Sequence, residues 1–445
     1  MVRGRRRIGK SALAEEFAGR SGLPFAYYTA SPGDPQAELS QFMDDIAAST
    51  LPARDLFAES APGTWNAALL QLGQALPDDS PSIVVLDEVP YLMERVEAFE
   101  GLLQRAWDRV LSRKPVLLLL VGSDLSMMEA LNSYERPFHQ RGTEVVVGPL
   151  NPAEIQRMLG LSAKDTFDAA VVTGGLPLVC AEWPRGASVW EYLHQALGNP
   201  LSALLVSGER SLAAEFPTQA QAREVLQTIG SGERTFTNIA RAAGGISHST
   251  LSRAADLLIA KGVVTSELPL STRPSKERRY RISDPYLRFW LRFLRPHMPE
   301  IERRRGDLTL RRIASQWSSW RGRAVEPLVR ESLARLVPGS AAVGAYWTRG
   351  NDVEIDLVGA DRAPVAGKLH FLGSIKWLEN SPFDDHDAAA LARHRAAVTD
   401  ELVPLVAVSR SGVSCTGLSA VYGPDDLVRA WQPALARQTV WEIST

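Results

Sequence analysis

Cysteine is scarce in this chain, with only Cys180 and Cys415 among 445 residues. The two stand far apart and fit neither a zinc-ligand spacing nor a redox pair, which excludes a disulfide-stapled scaffold and a thiolate metal centre. Both are expected as unpaired thiols of a reduced, cytoplasmic protein. Long apolar runs are missing too. The longest, VLLLLVG from Val116 to Gly122, falls far short of the roughly 20 residues that span a bilayer. The basic N-terminus is not followed by the apolar core of a secretory signal, so no membrane partner is expected. Charge of one sign hardly survives in the total: 49 Lys/Arg against 51 Asp/Glu leave a net of -2, which argues against a general polyanion binder. Internal repeats and low-complexity segments are also lacking.

What is present is a chain of ordinary globular composition that is too long for a single core, so several domains are expected. Its charge is unevenly spread. From Arg273 to Arg323 there are fifteen Lys/Arg against five Asp/Glu, a local excess of +10 between acidic ends. From Ser11 to about Gly148, short apolar runs alternate with amphipathic helical stretches. FAYYTAS (25–31), SIVVLDE (82–88), PVLLLLVGS (115–123) and TEVVVGPL (143–150) read as buried strands separated by helices, the α/β pattern of a parallel sheet covered on both faces. Residues 152–217 read as a helical cluster broken by TGGLPLV. A compact unit follows: helices at 220–229, 235–243 and 247–261, then strands VVTSEL and RRYRIS. Three helices and a two-stranded wing describe a winged helix-turn-helix. DPYLRFWLRFLRP supplies an aromatic packing helix, and beyond Gly322 a long helix leads into EIDLVGA, GKLHFLGSIKW and LVPLVAVS, a second, smaller α/β unit.

GRRRIGKS, Gly4 to Ser11, satisfies the spacing of a phosphate-binding loop. Glycines let backbone N–H groups wrap a phosphate, the loop opens onto a helix N-terminus, Lys10 neutralises phosphate oxygens, and the Ser11 hydroxyl can ligate Mg²⁺. Gly4, Gly9, Lys10, Ser11 and Ala12 are the expected nucleotide contacts. SIVVLDEVPYL supplies the other half: Asp87 and Glu88 emerge at the carboxyl end of a strand, where Asp87 would hold Mg²⁺ and Glu88 would orient or deprotonate a water. At the end of the next strand, Ser123 is expected either to sense the γ-phosphate or to cap a helix. Arg136 and Arg141 follow it and are expected as surface arginines or phosphate contacts. TGGLPLV, with Pro177, would approach the nucleotide or merely turn the chain.

Together, GRRRIGKS, SIVVLDEVPYL, VGSDLSMMEAL, TGGLPLV, the winged helix and RYRISDPYLRFW resemble the archaeal-type ATPases of the STAND branch of P-loop NTPases. The resemblance implies ATP and Mg²⁺ as cofactors, slow, switch-like hydrolysis, a nucleotide contact at Pro177 and assembly into a homo-oligomer. Its division of the chain is a P-loop core at 1–150 with its first strand missing or a stub, a helical lid at 151–216, the winged helix at 217–285, and linker helices with a restriction-endonuclease-like domain at 286–445. In that last domain Glu326, Asp356 and Lys376 match the nuclease pattern, in which two carboxylates hold a metal and a lysine stabilises the attacking water. Ser374 stands where the pattern has a second acid, so an inactive, nuclease-like fold is expected.

In the winged helix, His248, Ser249, Ser252 and Arg253 stand near the start of the third helix and are types able to reach base edges or phosphates. With the basic 273–323 stretch they point to DNA. The same unit also suits protein contacts, or docking on an acidic surface of the same chain. Two functions follow: a Mg-dependent ATPase acting as a nucleotide switch, or a DNA-binding regulator or defence-type module in which the nucleotide is structural and hydrolysis is negligible. One further expectation concerns the start. Only Met1, Val2 and Arg3 precede Gly4, so a first central strand is at most a stub. A form longer by about twenty to thirty residues, one strand plus its helix, would bind nucleotide better.

Overall fold

The computed structural model describes residues 1–131, 133–134, 136, 142–215 and 220–433. They form two compact units, Met1–Pro149 and Leu150–Thr445.

The first unit is an α/β layer structure. Its strands are β1 (Val2–Arg3), β2 (Phe25–Thr29), β3 (Ser82–Asp87), β4 (Val116–Gly122) and β5 (Val145–Val146). They lie in the order β2-β3-β4-β1-β5, and every neighbouring pair is parallel. Parallel strands need crossovers, and the helices that supply them cover both faces. Period-2 alternation sorts the side chains of β3. Ile83 and Val85 pack with Val2, Ala14, Ala18 and Val121 on one face. Val84 and Leu86 join Tyr28, Phe42, Trp65, Leu72 and Phe99 in the larger core on the other. Every residue of β3 is buried, as a central strand demands. The edges are thinner: β5 covers two residues of the expected TEVVVGPL run, both exposed, and β1 pairs through Val2 and Arg3 alone.

The second unit holds a helical cluster, a three-helix segment (Ala220–Ser231, Phe236–Ala242, His248–Ala260) with the antiparallel hairpin β6 (Val264–Glu267) and β7 (Arg279–Ile282), and a second sheet. That sheet contains β8 (Ala342–Trp347), β9 (Glu354–Ala360), β10 (Leu369–Lys376), β11 (Leu405–Ser409) and β12 (Ala420–Tyr422), in the order β12-β11-β10-β9-β8. It is mixed: β8, β9 and β10 are antiparallel, whereas β10, β11 and β12 are parallel. A helix of 31 residues, Gly306–Leu336, runs through the unit. The aromatic run ahead of it is core. Tyr286, Phe289, Trp290 and Phe293 are buried, and their polar tips find main-chain acceptors, Tyr286 Oη on Leu204 O at 2.9 Å and Trp290 Nε1 on Leu205 O at 3.0 Å.

A buried ion cluster crosses the unit. Asp168, on the helix Ala163–Thr173, accepts from Arg321 Nη1 at 3.2 Å and from Arg410 Nη2 at 3.0 Å. Both guanidiniums also reach Glu379. Burial pushes the Asp168 carboxyl up to about 6 while Arg410 and Arg321 pull it down. Arg321, like Arg410, is nearly inaccessible, so one cation of the basic 273–323 excess is internal structure and is unavailable to a polyanion. Arg279, Arg281, Arg305, Arg311 and Arg312 are likewise paired with carboxylates.

Cys180 and Cys415 are both free thiols, the first buried and the second half-buried. Among the described residues no helix is long and apolar enough to cross a membrane.

Candidate nucleotide site

Gly4 follows β1 directly, and a side chain there has no room: an added Cβ would lie 2.3 Å from both Ile8 Cδ1 and Val147 O. The loop then turns through Arg7 at φ 66 and Gly9 at φ 84, left-handed conformations that cost glycine little. Gly9 caps the helix Lys10–Arg20, which has no side-chain cap. Its first-turn N–H groups, those of Lys10, Ser11 and Ala12, therefore remain as donors at the positive end of the helix dipole. Ser11 and Ala12 are exposed there.

Lys10 itself is buried, and its ammonium folds back onto the loop to donate to Arg5 O at 2.9 Å. Burial lowers its pKa, and the charges of Glu88 and Asp87 oppose that shift. A cation held inside a loop of backbone N–H groups, short of solvent and with one main-chain acceptor, suits an incoming phosphate.

Asp87 is the last residue of β3 and is buried. Its carboxylate accepts from Tyr27 Oη at 2.9 Å and from the Glu88 N–H at 2.9 Å. Tyr27 Oη also lies 3.3 Å from Ser11 O, so one hydroxyl touches both residues expected to hold Mg²⁺. Burial and then the Asp87 charge raise the Tyr27 pKa well above its ordinary value, which keeps it a donor. Among the described residues no group of three or more His, Cys, Asp or Glu side chains could hold a metal unaided. A Mg²⁺ fits here only as Mg²⁺ usually does, with one carboxylate, a hydroxyl, water and the phosphates themselves.

Glu88 sits at φ 52, in the left-handed region, which is strained for a residue with a side chain and turns its carboxylate toward the neighbouring strand end. There Glu88 Oε2 accepts from Ser123 Oγ at 2.9 Å. Because β4 lies between β3 and β1, Ser123 stands between the acidic strand end and the loop. Arg6 completes this side: its Nε lies 3.4 Å from Ser123 Oγ and its Nη2 donates to Tyr91 Oη at 3.1 Å. The sheet thus brings Lys10, Ser11, Asp87, Glu88 and Ser123 to the carboxyl ends of β1, β3 and β4.

Tyr27 and Arg6 did not announce themselves in the sequence. Tyr27 has a weak signal, since it alternates with the core residues Ala26 and Tyr28 and so faces the other side of the sheet. Arg6 has none beyond its place in the loop. Arg136 pairs with Glu100 at 2.8 Å, and Arg141 lies outside the described residues.

The remaining expected residues all lie in the second unit. Pro177 opens a five-residue helix behind two glycines that packing requires. An added Cβ would sit 2.7 Å from Tyr286 Cβ at Gly174 and 2.1 Å from Leu150 O at Gly175. His248, Ser249, Ser252 and Arg253 are exposed at the start of the third helix. The His248 ring stands edge-on to Phe236 at 5.3 Å, and Arg253 Nε donates to Ser249 O at 3.3 Å.

Glu326 and Asp356 are brought to one place, but a guanidinium holds them. Arg330 Nη2 bonds Glu326 at 2.8 Å and its Nε bonds Asp356 O at 2.9 Å. The Asp356 carboxylate accepts from Ser374 Oγ and the Ile375 N–H, both at 2.8 Å. Lys376 is not with them: its ammonium pairs with Asp387 and lies 3.6 Å from Asp384. The three residues of the expected nuclease pattern therefore do not assemble. Ser374, on the same face of β10 as Lys376, takes the hydrogen bond to Asp356, and Lys376 at the strand end reaches the acidic helix start at 384–387 instead.

Residues 290–388 match the family DUF234, described as archaea bacterial proteins of unknown function. The match spans the second half of the aromatic core segment, the long helix, β8, β9, β10 and the start of the next helix. An uncharacterized protein of Methanocaldococcus jannaschii is 24% identical over 367 residues, which cover 80% of this chain and 78% of that relative. Among solved structures, a Walker-type ATPase of Pyrococcus abyssi overlaps with a TM-score of 0.43 at 18% identity, covering 65% of this chain and 90% of that one. The ORC2 protein of Aeropyrum pernix, in its ADPNP-ADP complexes, overlaps with a TM-score of 0.43 at 16% identity, covering 71% and 88%.

Proposed function

We propose that this chain binds Mg-ATP in its first unit and hydrolyses it slowly, using the nucleotide state as a switch in the manner of the STAND-type ATPases. One observation carries the reading: a loop with a buried lysine, an uncapped helix N-terminus, the Asp87–Glu88 pair and Ser123 meet at one edge of one parallel sheet. That edge is where open α/β sheets bind ligands. In this reading Lys10 and the N–H groups of residues 9–12 hold the phosphates, and Ser11 and Asp87 hold Mg²⁺. Glu88 orients the attacking water, with Ser123 and Arg6 fixing its carboxylate. The metal, when bound, neutralises charge on the transferring phosphoryl group.

The winged segment, with His248, Ser249, Ser252 and Arg253 exposed, is proposed to contact nucleic acid, and Pro177 to touch nucleotide. The 286–445 region is proposed to lack nuclease activity, since Arg330 holds the Glu326 carboxylate, Ser374 and the Ile375 N–H hold that of Asp356, and Lys376 is engaged elsewhere. The cytoplasm and a homo-oligomeric state belong to the same reading.

Turnover of Mg-ATP by wild type and Glu88→Gln tests it. The variant should retain nucleotide and lose at least tenfold in rate, as expected for a group that positions the nucleophile. Equal turnover by both proteins, or nucleotide bound with no turnover by either, would overturn the ATPase reading, and the second result favours the structural-nucleotide alternative.

A further inference from the structure

The second unit contains a cleft far from any expected contact of the nucleotide loop in sequence. It lies where the hairpin β6–β7 meets the long helix Gly306–Leu336 and the strands β8 and β9. Six arginines and three glutamates line it. Trp347 forms part of the wall. Its Nε1 donates to Glu277 O at 2.8 Å, and the Arg279 guanidinium stacks 4.4 Å over its ring, which fixes the hairpin against the sheet.

The arginines divide into two sets. Arg279, Arg281 and Arg330 pair with Glu354, Glu267 and Glu326. The other three are not so matched. Arg288 donates to Arg323 O at 3.1 Å and has no carboxylate within ion-pair distance among the described residues. Burial drives its pKa down to about 10 against the opposing charge of Glu326, so at neutral pH it remains a charged guanidinium poorly served by solvent. Arg234 has only Glu354, at 3.8 Å. Arg323 is exposed and has no carboxylate partner among the described residues. Three guanidiniums that share one glutamate at 3.8 Å, itself already paired with Arg279, and feel Glu326 only at longer range are costly to keep together unless something supplies further negative charge.

The interior of the cleft is about 40 Å³, room for roughly three waters, which suits one tetrahedral group and excludes a base pair. The glutamates of the first set would repel further phosphates strung on either side. A single dianionic group fits the charge better than a run of monoanionic ones, and planar guanidinium forks match its oxygens two at a time.

We propose that this cleft binds a terminal phosphate, a phosphomonoester held by Arg234, Arg288 and Arg323. The group could belong to a mononucleotide or sugar phosphate, or to the 5′ end of a nucleic-acid strand. The proposal does not depend on the ATPase reading.

The test uses the full chain carrying Lys10→Met, so that the phosphate loop does not compete. Binding of inorganic phosphate, AMP, a 5′-phosphorylated single-stranded oligonucleotide and its 5′-hydroxyl counterpart is measured by calorimetry. At least one phosphomonoester should bind, the 5′-hydroxyl strand should bind at least tenfold more weakly than the phosphorylated one or not at all, and Arg323→Ala should weaken the phosphomonoester at least tenfold. Arg323 is exposed, so this variant is expected to fold; Arg288→Gln is the second variant, accepted only where its melting curve matches wild type. Binding of AMP without the oligonucleotide assigns the site to a small ligand, and the reverse assigns it to a strand end. Equal binding of both strands, no effect of Arg323→Ala, or no phosphomonoester binding at all overturns the proposal.

Discussion

Lys10→Met separates what the loop lysine does for the fold from what it does for a ligand. In the free protein the ammonium is buried and bonded to one main-chain oxygen, and folding lowers its pKa from 10.5, chiefly by desolvation. The unfolded chain therefore holds that proton more firmly than the folded one, and the charge opposes folding at neutral pH. As pH rises through the lowered folded pKa towards 10.5 the opposition fades, because stability increases wherever the unfolded state binds more protons. Methionine has a similar length and no charge to desolvate, so the ligand-free variant should melt at or above the wild-type temperature near pH 7, with that advantage shrinking at alkaline pH.

With nucleotide the sign reverses. A hydrogen bond to a charged group is worth about 1.5–3 kcal/mol, so affinity for Mg-ATP should fall about 10- to 150-fold. Wild type at a ligand concentration of about 100 times Kd gains about 2.7 kcal/mol, a rise of about 5–10 °C for a domain of this size. At the same concentration the variant should gain about 0.3–1.4 kcal/mol, a rise of about 1–5 °C. Titration calorimetry and thermal melts with and without Mg-ATP check both halves. A variant that binds Mg-ATP as tightly as wild type would refute the assignment of Lys10, and one that melts well below wild type without ligand would refute the electrostatic argument.

Two further outcomes concern the second unit. Asp168→Ala leaves Arg321 and Arg410 facing each other with only the more exposed Glu379 and, for Arg410, Asp165 at 3.5 Å, and breaking a buried pair in this way should cost about 3–5 kcal/mol, read as a lowered urea midpoint with Mg-ATP affinity unchanged. Gly175→Ala meets both a positive φ and the Leu150 carbonyl at 2.1 Å, so it should destabilise by at least about 1–3 kcal/mol, whereas Gly186→Ala, with φ 78 but open space around it, should cost less. Equal losses at the two glycines would show that packing does not matter at Gly175.

The central strands were legible because each states its environment twice. SIVVLD combines a run of β-formers with burial on both faces, and its terminal carboxylates fall where the chain must leave the sheet. The phosphate loop was equally plain, since its glycines answer local geometry at Gly4 and Gly9. β12 passed unnoticed: three residues at a sheet edge carry no periodicity. Lys376 shows a different limit. Strand alternation gives the side of a sheet on which a residue lies, but not which of two acidic neighbours a flexible lysine will choose, and here the acidic helix start at 384–387 wins over Asp356. The basic stretch at 273–323 misled in the same way. Its excess is real in composition, yet Arg279, Arg281 and Arg321 are cancelled by Glu354, Glu267, Asp168 and Glu379, which lie outside the counted segment.

Arg330 has a consequence of another kind. Its guanidinium bonds the Glu326 carboxylate and the Asp356 main-chain carbonyl, and its charge opposes the upward push that burial gives both carboxyls; it is a counter-ion tethered to the chain by its own peptide bonds. A chelator cannot strip it, dilution cannot release it, and a competing cation has no coordination vacancy to enter. It also carries no bound water to activate. Arg330, anchored by Glu326 on its own helix and bonded to the Asp356 main-chain carbonyl, thereby fastens the long helix to β9, and the integrity of that link is set when the chain is made and does not follow the metal content of its surroundings.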